Sequence, residues 1–281
     1  MMQQYMDIKK EHEDCILFFR LGDFYEMFFE DAKTASRELE LTLTGKSCGL
    51  EDRAPMCGVP FHAAETYISR LVERGYKVAV CEQVEDPALA KGLVRREVVQ
   101  VITPGTIPSG AMLNEKENNY LGSLFAENGL LGFSYCDIST GEWRATRFEG
   151  GDALENLLGE IDRLGLRELL YPGNREGFPD PHELLPPGGL CLTPLGSKYY
   201  QADGCREALE AHFGLQSLTP LDLADLPEAS LAAGALLLYL RETQRQGLPQ
   251  MRSLKVYAPG GVMALDRATL RNLEITESIA D

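Results

Sequence analysis

Short apolar runs, cut off by Gly or Pro and set alternately with amphipathic stretches, constrain this chain more than any other feature. "CILFFRL" at 15–21 stops at Gly22, "AAETYISRLVERG" stops at Gly75, and "REVVQVITPGT" stops at Pro104. An apolar run of that length reads as a buried strand. In the middle segment Ile68, Leu71 and Val72 share one helical face, and Gly75 suits the left-handed position that ends a helix. "YKVAVCEQV" reads as a further strand. Strands and helices in alternation predict a small mixed α/β domain over residues 1–105.

The pattern then restarts. Residues 106–118 read as a linker. From Tyr120, three short strands follow, with turn signals at Glu127-Asn128-Gly129 and Ser139-Thr140-Gly141. "DALENLLGEIDRLG" puts Leu154, Leu157, Leu158, Ile161 and Leu164 on one stripe, and "LRELLYP" returns as a strand. "CREALEAHFG" and "LPEASLAAGALLLYLRETQRQG" read as helices, which predicts a second α/β domain over 119–240. Residues 241–281 open a third unit, with "DRATLRNLEI" as a helix and the pattern still running where the sequence stops.

Several function classes drop out. No run reaches the length of a membrane span, and residues 1–14 lack the apolar core of a secretory signal, so a cytoplasmic protein without membrane contact is expected. The seven cysteines show no CxxC and no ligand spacing with His12, His62, His182 or His212, so buried thiols are expected and no metal site. No GxxxxGK[ST] loop occurs, so no nucleotide site and no catalytic residue is expected in this chain. The net charge of −16 argues against nucleic acid. Residues 1–104 carry 13 basic and 18 acidic residues, a net of −5, which leaves −11 for the remainder.

Local chemistry points the other way. In "LGDFYEMFFEDAKTASRELEL", Asp23 and Glu26 fit a capping box, and Phe24, Met27, Phe28, Ala32, Ala35 and Leu39 follow in helical spacing. One reading makes Phe24 core and Glu26 a cap. The other lets Phe24 project past the helix start as a wedge that unstacks a base step from the minor groove. Glu26 then accepts from a base, and repels any duplex that offers none. "ELELTLT" reads as a strand and "GKSCGLEDRAPMCGVPFH" as an irregular loop. In that loop Met56 either pads a groove or joins the core, and Gly58 permits an unusual dihedral. Lys46, Arg53, Lys91, Arg95 and Arg96 are the candidate phosphate contacts. Asp137 beside Ser139-Thr140-Gly141 suits turn chemistry, the alternative being a metal nuclease completed by Glu142 and Glu155.

"FFRLGDFYEMFFEDA", "APMCGVPFHAAETYISRLVERGYKVAVCEQ", "VVQVITPGT" and "DISTGEW" together resemble the bacterial MutS family of DNA mismatch repair, and "DRATLRNLEI" resembles the start of its core region. The resemblance implies a mismatch-binding domain at 1–105, a ribonuclease-H-like connector domain at 119–240, and the beginning of a lever or core domain at 241–281. It gives Phe24 the role of stacking on a mispaired base and Glu26 that of hydrogen-bonding to it. The implied partners are double-stranded DNA with a mismatch or small loop, MutL through the connector, and a second subunit. ATP and Mg belong to a domain that follows in the family. The turn "LTGKSCG" and Gln100 are less basic than the family pattern, which implies weaker phosphate contacts. The competing reading is a protein-interaction scaffold acting through the connector, with Phe24 in the core.

Overall fold

The computed structural model describes residues 1–47, 53–85, 92, 94–107, 118–173, 181–185, 189–245 and 247–259. The chain divides into two compact units, Met1–Glu117 with Arg241–Gly247, and Asn118–Leu240 with Leu248–Asp281. Cys48, Lys91, Pro108 and "DRATLRNLEI" lie outside the described residues.

The first unit opens with helix α1 (Met2–Glu11) and continues through strands β1 (Cys15–Leu21) and β2 (Phe24–Phe28), helix α2 (Phe29–Leu39), strands β3 (Thr44–Lys46) and β4 (Ala54–Pro60), helix α3 (Ala64–Glu73), and strands β5 (Lys77–Gln83) and β6 (Arg96–Ile102). The six strands form one sheet in the order β3-β4-β2-β1-β5-β6, with β1 parallel to β5 and the other pairs antiparallel. Side chains alternate across a strand, so each strand feeds two layers. Ile16, Phe18, Tyr25, Met27, Cys57, Val59 and Val78 pack with residues of α2 and α3 on one face. Leu17, Phe19, Phe28, Ala79 and Cys81 pack around Tyr5 of α1 on the other.

Three expectations are overturned here. Residues 24–28 are a strand and not the first turns of a helix; α2 begins only at Phe29, and no side chain caps it. The physical reason is Gly22, at φ +59, which turns the chain so that Leu21 pairs with Phe24 across a two-residue connection. Glycine in the first of two linking positions is the pattern of a tight antiparallel hairpin. Residues 54–60 are likewise a strand rather than a loop, although Pro55 and Pro60 lie within it. Of "ELELTLT", residues 38–44, only Thr44 lies in a strand, β3, because α2 runs to Leu39 and ends on Glu40 at φ +58.

The second unit contains strands β7 (Tyr120–Glu127), β8 (Leu130–Asp137) and β9 (Glu142–Phe148), helix α4 (Ala153–Leu164), strand β10 (Glu168–Pro172), the single turn α5 (Pro181–Leu184), strand β11 (Cys191–Leu195), helix α6 (Ala202–Phe213), helix α7 (Pro227–Gln244) as far as Leu240, its last turn counting with the first unit, and the short strand β12 (Lys255–Val256). Its sheet runs β11-β10-β7-β8-β9-β12. β7, β8 and β9 pair antiparallel, while β10 runs parallel to β7 and β11 to β10, in keeping with the ribonuclease-H-like domain that the family resemblance implies. α4 packs on one face through Leu157 and Ile161, and α6 and α7 pack on the other through Leu209, Leu236 and Leu240. Gly132 and Gly234 allow the close approach of α7. A β-carbon on Gly132 would lie 2.1 Å from the backbone of Glu228, and one on Gly234 would lie 2.3 Å from Cβ of Cys205. Buried Glu168 accepts hydrogen bonds from Thr193 Oγ1 at 2.7 Å and from the Tyr239 hydroxyl at 2.9 Å, which ties β10 to β11 and α7. Among the described residues no helix is long and apolar enough to cross a membrane.

Candidate nucleic-acid interface

The α1 side of the first sheet is covered over only part of its area. The registers Phe24↔Pro60, Glu26↔Gly58 and Phe28↔Met56 place these six residues on that same face, because paired residues and alternate residues point the same way. Thr44, opposite Met56, and Lys46, opposite Ala54, extend the row onto β3. Tyr5 closes the Phe28 end, its ring edge-on to Phe28 with centroids 5.0 Å apart. Phe24, at the other end, keeps 47% of its surface exposed.

The hairpin that presents Phe24 is braced from behind. Arg20 Nε donates to the Gly22 carbonyl at 2.5 Å, and the Phe61 N–H donates to the Asp23 carbonyl at 2.9 Å. The Arg20 guanidinium lies 4.0 Å from the centroid of the Phe61 ring, itself largely exposed, and 3.4 Å from Glu82 Oε1. Tyr25, on the covered face, donates its hydroxyl to Glu82. Burial first, and then that hydrogen bond, push the Tyr25 hydroxyl above its ordinary value, so it stays a donor. The turn is fixed, and the ring at its exit stands exposed.

Glu26 is brought to the same patch, two residues along. Its Oε2 accepts from Lys46 Nζ at 2.5 Å. Lys46 reaches it over the ring of Phe28, whose centroid is 5.6 Å from the ammonium. Gly58, directly opposite Glu26, is not among the residues at positive φ. Its contribution is space rather than the unusual dihedral expected of it: a β-carbon there would lie 3.2 Å from the Tyr25 carbonyl and 3.5 Å from Cγ of Glu26. Met56 is half-buried and packs against the cluster around Tyr5, so it belongs both to the edge of the core and to the patch.

The candidate phosphate contacts separate. Arg53 is exposed at the entry to β4. Arg95 is exposed on the approach to β6 and paired with Glu97. Arg96 is a correction. It is buried, its Nε donates to the Arg20 carbonyl at 2.7 Å, its Nη1 donates to the Val94 carbonyl at 2.7 Å, and the guanidinium lies over Phe19. Those bonds hold β6 to β1, and the side chain is turned inward rather than presented to a phosphate. Lys91 lies outside the described residues.

In the second unit, Asp137 is a turn residue. Its Oδ1 accepts from the backbone N–H and hydroxyl of Ser139 at 2.8 and 2.6 Å, and Oδ2 accepts from the Asn119 N–H at 3.3 Å. Glu142 accepts from the Tyr120 hydroxyl and pairs with Arg144, and Glu155 is exposed on α4. The three carboxylates do not converge, and among the described residues no cluster suited to a metal ion occurs. The Lys46–Glu26 pair and the Arg20–Phe61 stack went unread in the sequence. The first had no signal, since the partners lie 20 residues apart with an unforeseen strand between them. The second also depends on that strand, because Phe61 reaches Arg20 only through the pairing of β4 with β2.

The sequence matches the family model for MutS domain I over residues 1–111 and that for MutS domain II over residues 119–252. Among curated relatives, the DNA mismatch repair protein MutS of Desulforamulus reducens is 50% identical over 285 residues, that of Ruminiclostridium cellulolyticum 48% over 284, and that of Acetivibrio thermocellus 46% over 284. Each match takes in 100% of this chain and 32% of the relative, so the chain spans about a third of the length of the relatives it matches. With two domain models matched in order, and the whole of this chain aligned to these relatives, the chain belongs to the MutS family.

Proposed function

We propose that this chain carries the mismatch-reading part of a DNA mismatch repair protein, with residues 1–105 as the reader, 119–240 as the connector and 241–281 as the entry to a further domain. The observation that carries the reading is the Phe24 ring: nearly half exposed on the open part of the first sheet, at the exit of a braced hairpin, with a carboxylate two residues on. Inserting such a ring opens a base step at a cost of a few kcal/mol, least where the pair is already mismatched. Stacking on the base returns about 1–3 kcal/mol. The balance is near zero for a sound duplex and favourable at a defect, so the ring reads deformability rather than sequence. Glu26 adds a condition: a base N–H must meet the carboxylate, or its desolvation is uncompensated. Arg53 and Arg95 serve as phosphate contacts, and Met56 and Gly58 shape the surface beside the ring.

The chain's own acidity works against this binding. Grip on the phosphates then comes from the rest of the protein and a second subunit, with ATP and Mg bound outside this chain and MutL engaging the connector. A bacterial protein of this kind works in the cytoplasm. The test is Phe24→Ala in the intact protein, titrated by fluorescence anisotropy at fixed salt with matched and mismatched duplexes. The preference for the mismatch is expected to vanish while folding is retained. An unchanged preference would return Phe24 to a purely structural role and favour the scaffold reading.

A further inference from the structure

Most ion pairs on a protein surface contribute little, because both partners remain solvated and mobile. The Lys46–Glu26 pair differs in three respects. The side chains are partly withdrawn from water, with 32% and 17% of their surfaces exposed. They come from β3 and β2, with β4 between them in the sheet. The residue of β4 opposite Glu26 is Gly58, which offers no side chain to intervene, and the Lys46 ammonium lies over the Phe28 ring.

This arrangement bears on a difficulty in the proposed function. A carboxylate beside the wedge meets the phosphates of every duplex, matched or not, before it meets any base. Unpaired, it repels them all. Paired with an ammonium, the patch carries no net charge at first approach. The geometry points to Lys46 as the positioning residue for Glu26: it holds and neutralises the carboxylate on the open face, and hands it over when a base N–H replaces the ammonium. The inference rests on the duplex-reading role proposed above, and it gives Lys46 a task different from that of a simple phosphate contact. In the simple role Lys46 attracts DNA whatever stands at position 26. In the positioning role it matters only while a carboxylate stands there.

A double-mutant cycle in the intact protein separates the two. Lys46→Met, Glu26→Gln and the double variant are titrated with matched and mismatched duplexes over a range of salt, with folding followed by circular dichroism. Lys46→Met alone is expected to weaken both duplexes by about five- to tenfold, and by less than about twofold once Glu26 is Gln, since coupled residues fail to add. Lys46→Arg is expected to restore binding. Equal losses in both backgrounds, with a salt slope lowered by about one each time, would make Lys46 an independent phosphate contact and overturn the inference. No loss from Lys46→Met would overturn it as well. A protein that prefers the mismatch and shows an additive cycle loses this inference alone. One that binds neither duplex loses the function reading and this inference together.

Discussion

Gly58 shows how far a single position reaches. A β-carbon there would sit tightly against the Tyr25 carbonyl and in contact with Cγ of Glu26. Gly58→Val adds a branched side chain where even one carbon is tight, so strand β4 or Glu26 must move. A loss of about 1–3 kcal/mol in stability is expected, read from urea denaturation, because overpacking of an ordered site has that scale. Phe24→Ala is its opposite. With the ring 47% exposed, the truncation leaves little cavity, and stability should change by no more than about 0.5 kcal/mol. The two variants separate fold from reading: one damages the platform, the other removes only what stands on it. At this scale the sequence named the residues but not the element that carries them, reading a helix start where a strand stands. Phe24, Glu26, Met56 and Gly58 are grouped by the structure on one face. Arg96 was misassigned because a charged residue in an apolar strand can serve the core as well as the surface, and only its bonds to two backbone carbonyls decide which.

Among elements, the instructive one is β2. Phe24, Met27 and Phe28 satisfy a helical spacing, while Tyr25 and Met27 satisfy the alternation of a strand; a five-residue segment cannot decide between them on period alone. The chain decides with Gly22-Asp23, which closes a hairpin onto β1, and with Phe29 at φ +54, which turns strand into helix within one residue. A non-glycine residue there is uncommon, and an aromatic one is held only by its surroundings. Those surroundings are α1. Tyr5 donates to Asp31 Oδ2 at 3.0 Å, the Leu17 N–H donates to the same oxygen at 3.0 Å, and Lys9 pairs with Asp31 at 2.9 Å. Buried Asp31 therefore joins α1, β1 and α2 at one point. Tyr5→Phe removes one donor from a buried carboxylate and is expected to cost about 1–3 kcal/mol. Urea unfolding followed through the first unit checks this; a change of less than about 0.3 kcal/mol would show that water replaces the hydroxyl without loss.

For the molecule as a whole, the acidic balance has a consequence for stability in acid. In the second unit Glu160 accepts from Tyr257 at 2.9 Å and from Arg163 at 2.7 Å. Burial raises its carboxyl, but the bonds from Arg163 and Tyr257 outweigh burial and leave it below its ordinary value of 4.5. A group depressed in the folded state stabilises fully above its unfolded value, and that contribution is lost as pH falls through the folded one. The second unit is thus expected to lose stability below about pH 4.5, and Glu160→Gln to lose less over the same range. Urea midpoints at pH 7 and in the acid range compare the two; equal acid losses would place the sensitivity elsewhere. The overall plan of two α/β units was plain in the sequence, because apolar runs and their Gly and Pro stops are local. Strand β11 and the pairing of β4 were not, since a short strand such as "CLTPL" acquires its place only from the neighbour it joins.

The face-sharing register of β2 has one last implication. Which aromatic looks outward is a matter of odd and even: Phe24 stands out and Tyr25 stands in because the count from Gly22 is what it is. Deleting one residue from that turn would swap the two rings, burying the probe and offering a phenol in its place, with the composition of the segment almost untouched. Evolution can therefore vary much of this strand's chemistry, but has very little freedom in its arithmetic.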